Sequence, residues 1–574
     1  MSMQIPPQYR CAEQLETFLG DPLDPTSGLS FAEAVANDET ERFPVEVCAR
    51  LDAWGLPLHY IPVALGGRFR SFETMLSLTR CIARRDLTTA IGHAKTYLGA
   101  MCVWIAGNPA QQRGLAALIA AGHPVSLGLT EKSHGADLLA SDLVAERCES
   151  GWRLDGEKWL INNATRGAAL TLFARTSTAG GPRGFTLFLV EKDKLQPGSF
   201  EHLPKIKTHG IRGADISGIR FSSATVGDDA VIGEVGKGLD LTIKGLQLSR
   251  VMCTGLSLGA ADTAIRGVLD FAVKRPIYNT HVIAIPHARR SQAQAFADLL
   301  ICDSLALVTA RALHLNTSEM SIHSAIAKFL VPKMSERICA DTAMILGARH
   351  YLRQDHHSGI FQKLLRDNRL VGLFDGSAVV NLFSLALQQR VLGRRDNVRC
   401  DRNLFDLNVP LAEFDPSALA LNSRLDGVLN GFEDARTELA ALVDRPVVQL
   451  IQAFARDLST ALIDHTAAVA ALPDGAAQRM EPAAFDLAER YCRLHAGAAA
   501  VQMWMVNRSR LPACLSSGLW LAVGLARLLT DLGLPRSVPD GLIDALVDDL
   551  LTLNAEGQSF SLVPLKLGAG PGAA

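Results

Sequence analysis

Residues 152–163 read WRLDGEKWLINN and decide the fold of the central part of the chain. Apolar and polar residues alternate on both sides of Asp155-Gly156, as they do in strands that bury one face. An Asp-Gly step between two such runs predicts a β-hairpin turn at that point. Further short β-rich runs and the turn sequence Gly180-Gly181-Pro182 follow. We therefore expect a small antiparallel sheet or barrel in residues 123–235.

Helical patterns flank this β-rich part on both sides. Apolar residues recur three and four positions apart in residues 1–122 and again in residues 236–396, and LIDALVDDLLTLNAE near the C-terminus is amphipathic. The fold class is therefore mostly α with a small β domain. We expect four parts: an N-terminal helical domain (1–122), a central β domain (123–235), a four-helix bundle (236–396) and an additional C-terminal helical domain (397–574).

Composition excludes several kinds of protein. A formal net charge of -2 and a pI of about 6.7 give no basic footprint, so no nucleic-acid partner is expected. The 11 cysteines are dispersed without a CxxC pair, which favours reduced thiols and a cytoplasmic protein. The longest uncharged apolar stretch, between Arg510 and Arg527, is shorter than the ~20 residues of a membrane span and predicts a buried helix. No residue spacing predicts a metal site, and His356-His357 has no partner at metal spacing.

Four groups of residues occur in the order in which similar motifs occur in the acyl-CoA dehydrogenase family. Residues 129–137 (LTEKSHGAD) and 156–163 (GEKWLINN) are similar to T-E-P-x-x-G-S-D and G-x-K-x-W-I-T-N of that family. Residues 209–215 (HGIRGAD) resemble G-I-R-x-S-D, and Gly233 to Gly238 precede a helix that contains Arg250. Residues 366–377 (RDNRLVGLFDGS) resemble R-D followed by Y-E-G-T. The chain thus resembles this family over roughly residues 30–396, with the bundle as the catalytic domain.

The resemblance implies FAD-dependent α,β-dehydrogenation of an acyl thioester, carried by CoA or by an acyl-carrier protein. In the family a carboxylate removes the α-proton, the β-hydride passes to FAD, and an electron-transfer flavoprotein or similar acceptor reoxidises it. Asp375 stands where most of the family has the catalytic glutamate, so we expect it to be the general base. The alternative is an exposed aspartate in a Phe-Asp-Gly turn. Ser249 occupies the position at which some relatives carry the base, and it cannot replace a carboxylate.

The resemblance also places the ligand contacts. It places the cofactor contacts at Leu129, Thr130, Leu160, Asn162, Arg275, Gly347 and Ser377. It places the substrate contacts at Ala136, Arg250 and Gly376. Arg275 would reach the FAD pyrophosphate of a neighbouring subunit, or else be a solvated arginine at a helix end. Arg250 would lie near the thioester, or else form a structural ion pair inside the bundle.

Several positions depart from the family pattern. Trp159 is shifted by one position, which in a regular strand sends its side chain to the opposite face. Ala136 replaces a serine, Asn279 a glycine and Met344 a glutamine, and these changes weaken the expected contacts with FAD.

The C-terminal part and the site changes leave alternatives open. The length of residues 397–574 is similar to the C-terminal helical domains of very-long-chain acyl-CoA dehydrogenases and acyl-CoA oxidases, which implies a homodimer. A flavin oxidase of the same fold is the second hypothesis, either an acyl-CoA oxidase or a protein similar to nitroalkane oxidases. Against the nitroalkane oxidases, Leu382 stands where they carry arginine. The third is a catalytically silent member that binds acyl groups or a partner.

Overall fold

The computed structural model describes residues 5–392, 400–442 and 445–568. These residues form two compact units. The first comprises the chain up to Val35, Ser71–Asp86 and the chain from Arg250 onward, and the second comprises Ala36–Arg70 and Leu87–Ser249. The expected boundary between residues 396 and 397 lies outside the described residues, and the four-domain division stays a prediction.

Helices dominate both ends of the chain, as the fold class required. In chain order the helices are α1 (Arg10–Leu19), α2 (Phe31–Glu39), α3 (Val45–Trp54), α4 (Phe72–Ala83), α5 (Leu87–Ala106), α6 (Pro109–Ala120), α7 (Gly238–Lys274), α8 (Pro286–Leu315), α9 (Met320–Leu346), α10 (Ile360–Asn368), α11 (Ala378–Leu392), α12 (Gly427–Asn430), α13 (Phe432–Ala440), α14 (Pro446–Ala471), α15 (Pro482–Asn507), α16 (Ala513–Ser516), α17 (Leu519–Asp531) and α18 (Asp540–Ala555). The prediction of a mostly helical fold with a small β domain is confirmed.

The strands of the second unit form one sheet. They are β1 (Val125–Gly128), β2 (Val144–Cys148), β3 (Gly151–Asn162), β4 (Ala169–Arg175), β5 (Phe185–Glu191), β6 (Phe200–Leu203), β7 (Ile216–Val226) and β8 (Val231–Ile232). Their order is β6-β7-β3-β2-β4-β5-β8, with β1 beside β4. Most pairs are antiparallel, as expected, but β1 runs parallel to β4, so the sheet is mixed.

The hairpin predicted at Asp155-Gly156 is wrong, because β3 continues through these residues. The turn that joins β2 to β3 lies between Cys148 and Gly151 instead. At Gly156 the backbone has φ 129°, and the pairing with β7 shifts register between Leu154 and Gly156. A glycine inside a strand often marks such a bulge. The turn at Gly180-Gly181-Pro182 does separate β4 from β5.

The second unit has an apolar core within the sheet, and helix α5 packs against β1 and β4. Trp152, Leu154, Leu172 and Phe188 belong to a buried apolar cluster of the sheet. Helix α5 approaches β1 very closely at Gly99, where a Cβ atom would lie 2.6 Å from the Val125 backbone. This contact requires glycine and fixes α5 against the start of the sheet.

The core of the first unit is built around helix α8. Helices α4, α9, α15, α17 and α18 all pack against α8. The C-terminal helices therefore share one core with the bundle helices α8 and α9. Ala513–Asp531 has the length and apolar composition of a membrane-spanning helix, yet 67% of that apolar window is buried inside the structure. Trp520 in this stretch is fully buried, which agrees with the predicted core helix.

Candidate active site

Asp375 lies in a tight turn between α10 and α11 of the first unit. Its backbone has φ 54°, and Gly376 follows with φ 96°. Left-handed backbone is uncommon for a residue with a side chain, although aspartate and asparagine tolerate it best. Lys328 of α9 fixes the turn, because its Nζ donates to Gly376 O at 3.1 Å and to Val371 O at 2.7 Å. Asn381 Nδ2 also donates to Gly376 O, at 2.9 Å, so the backbone at the expected base is fixed.

Helix α7 supplies the side chains next to Asp375. The Cys253 thiol donates to Asp375 Oδ2 at 3.5 Å, and Arg250 Nε donates to the backbone oxygen of Asp375 at 3.2 Å. Burial lowers the pKa of Arg250 to about 10, with Asp375 opposing the shift. Arg250 is therefore charged at neutral pH, and its charge favours the ionised form of the neighbouring carboxyl group.

The residues predicted around the base come together in this turn. Asn381 Nδ2 donates to Ser377 O at 2.9 Å. A methyl group at Gly376 would lie 2.9 Å from Arg250 Nη2, so the guanidinium lies directly against this glycine. Asp375, Gly376, Ser377 and Arg250 thus form one contiguous site. Arg250 is buried, and it also contacts the turn that contains the expected base.

Arg275 and Gly347 lie apart from that turn, near the ends of α7 and α9. Arg275 is exposed and precedes a short hairpin of β9 (Pro276–Ile277) and β10 (Thr280–His281). Asn279, in the position of the family glycine, has φ 64°, a conformation that asparagine adopts readily. Ile277 and Ile345 pack on the same apolar cluster, which brings the hairpin and the end of α9 together. The Asn279 change therefore keeps the turn that glycine would make.

In the second unit, Leu129 and Thr130 lie in the segment that follows β1. Thr130 Oγ1 donates to Trp159 O at 2.7 Å, and Trp159 N donates back to Thr130 O at 2.9 Å. Lys158 Nζ donates to Leu129 O at 3.2 Å. These bonds tie the segment to strand β3, and Ala136 lies farther along it with an exposed side chain.

A buried ion pair anchors this segment and was not predicted. Lys158 is fully buried and bonds to Glu131 at 2.7 Å, and the Ser141 hydroxyl also donates to Glu131 at 2.6 Å. Burial opposes both charges; Lys158 nevertheless holds the pKa of Glu131 at about 2, while the pKa of Lys158 itself is lowered to about 8. The signal for this pair in the sequence was a lysine inside an apolar strand.

Strand β3 does not alternate regularly at the predicted flavin contacts. The pairing with β7 shifts between Trp159 and Ile161, so Leu160 is an extra, bulged residue with φ 57° and an exposed side chain. The side chain of Trp159 was predicted on the opposite face by assuming a regular strand. That assumption does not hold at this bulge. Beyond the bulge, Asn162 Nδ2 points to Ile91 O of α5 at 3.5 Å.

Two stretches of the chain match models of known protein domains. Residues 126–224 match the family model for the acyl-CoA dehydrogenase middle domain, and residues 236–387 match the model for the acyl-CoA dehydrogenase C-terminal domain. Residues 126–387 therefore contain the middle and C-terminal domains of the acyl-CoA dehydrogenase family. The chain is 24% identical over 360 residues to the mitochondrial isovaleryl-CoA dehydrogenase of Oryza sativa subsp. japonica, which covers 60% of this chain and 84% of that protein.

Two solved structures show how far the shared fold extends. Butyryl-CoA dehydrogenase from Megasphaera elsdenii aligns with a TM-score of 0.61 at 20% identity and covers 67% of this chain and 98% of its own. An acyl-CoA dehydrogenase complexed with FAD, from Bacillus anthracis, aligns with a TM-score of 0.70 at 16% identity and covers 96% of this chain and 94% of its own. The C-terminal helices of this chain therefore have a structural counterpart.

The two matched domains are those of a flavin enzyme, so the protein is an oxidoreductase with FAD as its cofactor, and its residues fit that cofactor. The side-chain oxygen of Asn162 is buried and has no hydrogen-bond partner among the described residues. This acceptor suits the ring N–H of a flavin. The exposed guanidinium of Arg275 has the charge and the paired donors that a pyrophosphate requires.

Several side chains that shape the site were missed in the sequence. Lys328, Cys253 and Asn381 all contact the turn at Asp375 and Gly376, yet none belongs to the motifs that were recognised. A lysine within the apolar run AIAKFLV was the available signal for Lys328. Nothing in the sequence pointed to Cys253, because a lone buried cysteine is usually inert core.

His356 and His357 have a partner in space that their sequence spacing did not reveal. Asp270 of α7 joins these histidines, with ligand atoms of all three residues within 4.8 Å of one another. His357 Nε2 lies 3.0 Å from Asp270 Oδ2, and Lys274 Nζ occupies the other oxygen at 2.7 Å. The partner is 87 residues away in sequence, which is why spacing alone did not find it.

Proposed function

We propose that the protein dehydrogenates an acyl thioester between its α- and β-carbons, with Asp375 as the base that removes the α-proton. The observation that supports this proposal is the environment of Asp375. Its carboxylate is half-buried, lies in a fixed left-handed turn and is bordered by Arg250 and Cys253 of helix α7. A base needs such a positioned and partly desolvated carboxylate.

Each neighbour has a distinct part in proton removal. The charge of Arg250 lies beside Asp375 and stabilises negative charge there, and the Cys253 thiol orients one carboxylate oxygen by donating to it. Lys328 and Asn381 prevent the turn from moving by bonding to Gly376 O. When bound, FAD supplies the acceptor for the β-hydride. The protein then needs only to present the α-proton to Asp375, since proton and hydride leave from adjacent carbons.

The substrate carrier and the electron acceptor belong to the proposal. We infer that the thioester is carried by CoA, as in the isovaleryl-CoA and butyryl-CoA dehydrogenases to which the chain is similar, and an acyl-carrier protein is the alternative carrier. We further infer that an electron-transfer flavoprotein or similar acceptor removes the electrons, and that the protein acts in the cytoplasm as a homodimer. The exposed apolar side chains of Tyr278, Met344 and Tyr351 favour a second copy as a partner.

The test is an anaerobic titration of the purified flavoprotein, followed by its visible spectrum. We expect the flavin band to bleach on addition of an acyl-CoA, with branched short-chain and straight-chain substrates compared in parallel. The same acyl groups on an acyl-carrier protein distinguish the two carriers. Rapid consumption of oxygen during turnover would instead identify an oxidase. A flavin band that no acyl thioester bleaches would contradict the proposed function.

A further inference from the structure

A second cluster of titratable side chains lies where the C-terminal region meets helix α9. His323 is in the first turn of α9, His495 is in α15, and Asp426 immediately precedes α12. All three are buried, and one possible ligand atom from each lies within 4.8 Å of the others. Glu319, just before α9, is also buried and adjoins His323. These residues belong to one compact unit.

Both imidazoles are anchored to a carboxylate through one nitrogen. His323 Nε2 lies 3.1 Å from Glu319 Oε2, and His495 Nδ1 lies 2.9 Å from Asp426 Oδ2. The second nitrogens, His323 Nδ1 and His495 Nε2, are buried and have no partner among the described residues. Buried polar atoms nearly always have a partner, and a bound ion or water is a common partner where the protein offers none. Histidine rings held by carboxylates are typical of metal sites, where the carboxylate orients the ring.

The charges of the cluster also call for a cation. The other donors to Asp426 are the backbone amides of residues 428 and 429 and the Tyr491 hydroxyl. Glu319 accepts from the Gly427 amide and the Asn316 side chain. Within the described parts of the chain, no lysine or arginine bonds to either carboxylate. Two buried negative charges therefore lack a permanent positive partner.

The remaining titratable neighbours supply no positive charge. Burial and then the carboxylate charges raise the pKa of Tyr491 and raise that of Cys400 to about 12, so both stay neutral. Two imidazolium ions could balance the carboxylates, but their ring centroids would be only 5.1 Å apart. Each ring would also keep an N–H group without a partner in the core. One divalent cation balances the same charge and takes one nitrogen of each ring and one Asp426 oxygen as ligands, because these atoms lie within 4.8 Å of one another. At His495 that nitrogen is Nδ1, and the ion replaces the hydrogen bond between Nδ1 and Asp426 Oδ2.

We propose that His323, His495 and Asp426 bind one divalent transition-metal cation of the Zn²⁺ class, which fastens the C-terminal helices to the bundle. Imidazole nitrogen and carboxylate oxygen are the ligand types that Zn²⁺ accepts. The Glu319 carboxylate holds the ring of His323, and the Tyr491 hydroxyl holds the Asp426 carboxylate. The role is structural, since the ligands come from α9, α15 and the segment before α12.

The site binds metal in competition with protons. Burial lowers the pKa of His323, but the hydrogen bond to Glu319 and the charge of Asp426 outweigh burial and raise it. Without the cation the ring is therefore protonated more readily than a free imidazole. Metal binding must release that proton, so affinity falls as the pH falls.

The first test uses the full-length flavoprotein. After chelator treatment and gel filtration, ZnCl₂ alone is titrated by calorimetry, and thermal unfolding is followed with and without it. We expect about one Zn²⁺ per chain and a higher unfolding temperature with Zn²⁺. Substitution with Co²⁺ should give the intense visible bands of a four- or five-coordinate site. Absence of binding heat and of any thermal shift would overturn the proposal.

Variants locate the ion. His323→Gln and His495→Gln should lose the bound Zn²⁺ and the thermal shift. His465→Gln is the matched control, because His465 is a buried histidine of α14 outside the cluster. Zn²⁺ that persists in the first two variants but disappears in Asp270→Asn would place the ion at the other histidine pair and overturn the assignment. Should the cluster variants not fold, the Co²⁺ spectrum of the unaltered protein decides, and a weak six-coordinate spectrum counts against the site.

Discussion

Replacing Asp375 by asparagine removes the proposed base while preserving the turn that holds it. Asparagine is isosteric with aspartate and tolerates the left-handed backbone at φ 54°. Arg250 bonds to the backbone oxygen of residue 375, so this contact survives the change. A positioned general base contributes roughly 10²–10⁴-fold to a rate. We therefore expect flavin reduction to slow by about that factor, equivalent to about 3–5 kcal/mol in the barrier.

The glutamate variant separates position from charge. Asp375→Glu retains the carboxylate but moves it by about one methylene, and a misplacement of ~1 Å can cost ~10²-fold. The shift also breaks the contact between Cys253 and the carboxylate. We expect the glutamate variant to be slower than the unaltered protein by about 10²-fold and no slower than the asparagine variant.

The assay is anaerobic stopped-flow absorbance of the flavin band at saturating acyl-CoA. FAD content and thermal unfolding check that each variant is folded. Asp355→Asn is the matched control, because Asp355 is a carboxylate of the loop before α10 that pairs with Arg349 rather than with the turn. A folded, FAD-loaded asparagine variant that bleaches within a few-fold of the unaltered protein would refute the assignment of Asp375 as the base.

Four further substitutions test the surroundings. Gly376→Ala introduces a side chain at φ 96° and 2.9 Å from Arg250 Nη2; we expect a loss of stability of about 1–3 kcal/mol by thermal unfolding and a slower bleaching rate. Lys158→Met leaves Glu131 buried without its partner, at about 3–5 kcal/mol, and should lower FAD retention by the purified protein. Because the pKa of Glu131 is lowered from 4.5 to about 2, its carboxylate contributes stability above about pH 4.5 that is lost toward pH 2, and Glu131→Gln should flatten this acid dependence in unfolding curves. Tyr351→Glu should convert the expected homodimer, of twice 61.7 kDa, into monomers by light scattering, and a mass near four chains would contradict the dimer.

The sequence was sufficient for the class of fold and for finding the residues that meet around Asp375. Helical periodicity and short β-runs gave the helix–sheet–helix order, and the family motifs brought Asp375, Gly376, Ser377 and Arg250 together before their contacts were known. These residues are recognisable because they cluster at fixed spacing. The alternation rule failed in strand β3, since the bulges at Gly156 and Leu160 depend on pairing with β7, a strand more than fifty residues further along the chain.

What the sequence could not give were contacts between distant segments. Lys158 finds Glu131 across 27 residues, and His323 meets His495 only after the C-terminal helices pack on the bundle. A lysine or histidine looks the same in sequence whether its side chain is exposed or is buried beside a partner. Only the fold reveals which partner satisfies it, and both proposals about this protein rest on such partners.

The aspartate at position 375 and its backbone conformation are best explained together. A left-handed residue followed by a left-handed glycine makes an abrupt turn, and aspartate is among the few residues with a side chain that occupy this region readily. Lys328 and Asn381 hold the carbonyl group of Gly376, so the turn cannot relax to carry the carboxylate elsewhere. A longer glutamate would have to enter the same space beside Cys253 and Arg250. The geometry of this turn therefore explains why aspartate stands where most of the family has glutamate. The shorter side chain does not by itself predict a slower reaction.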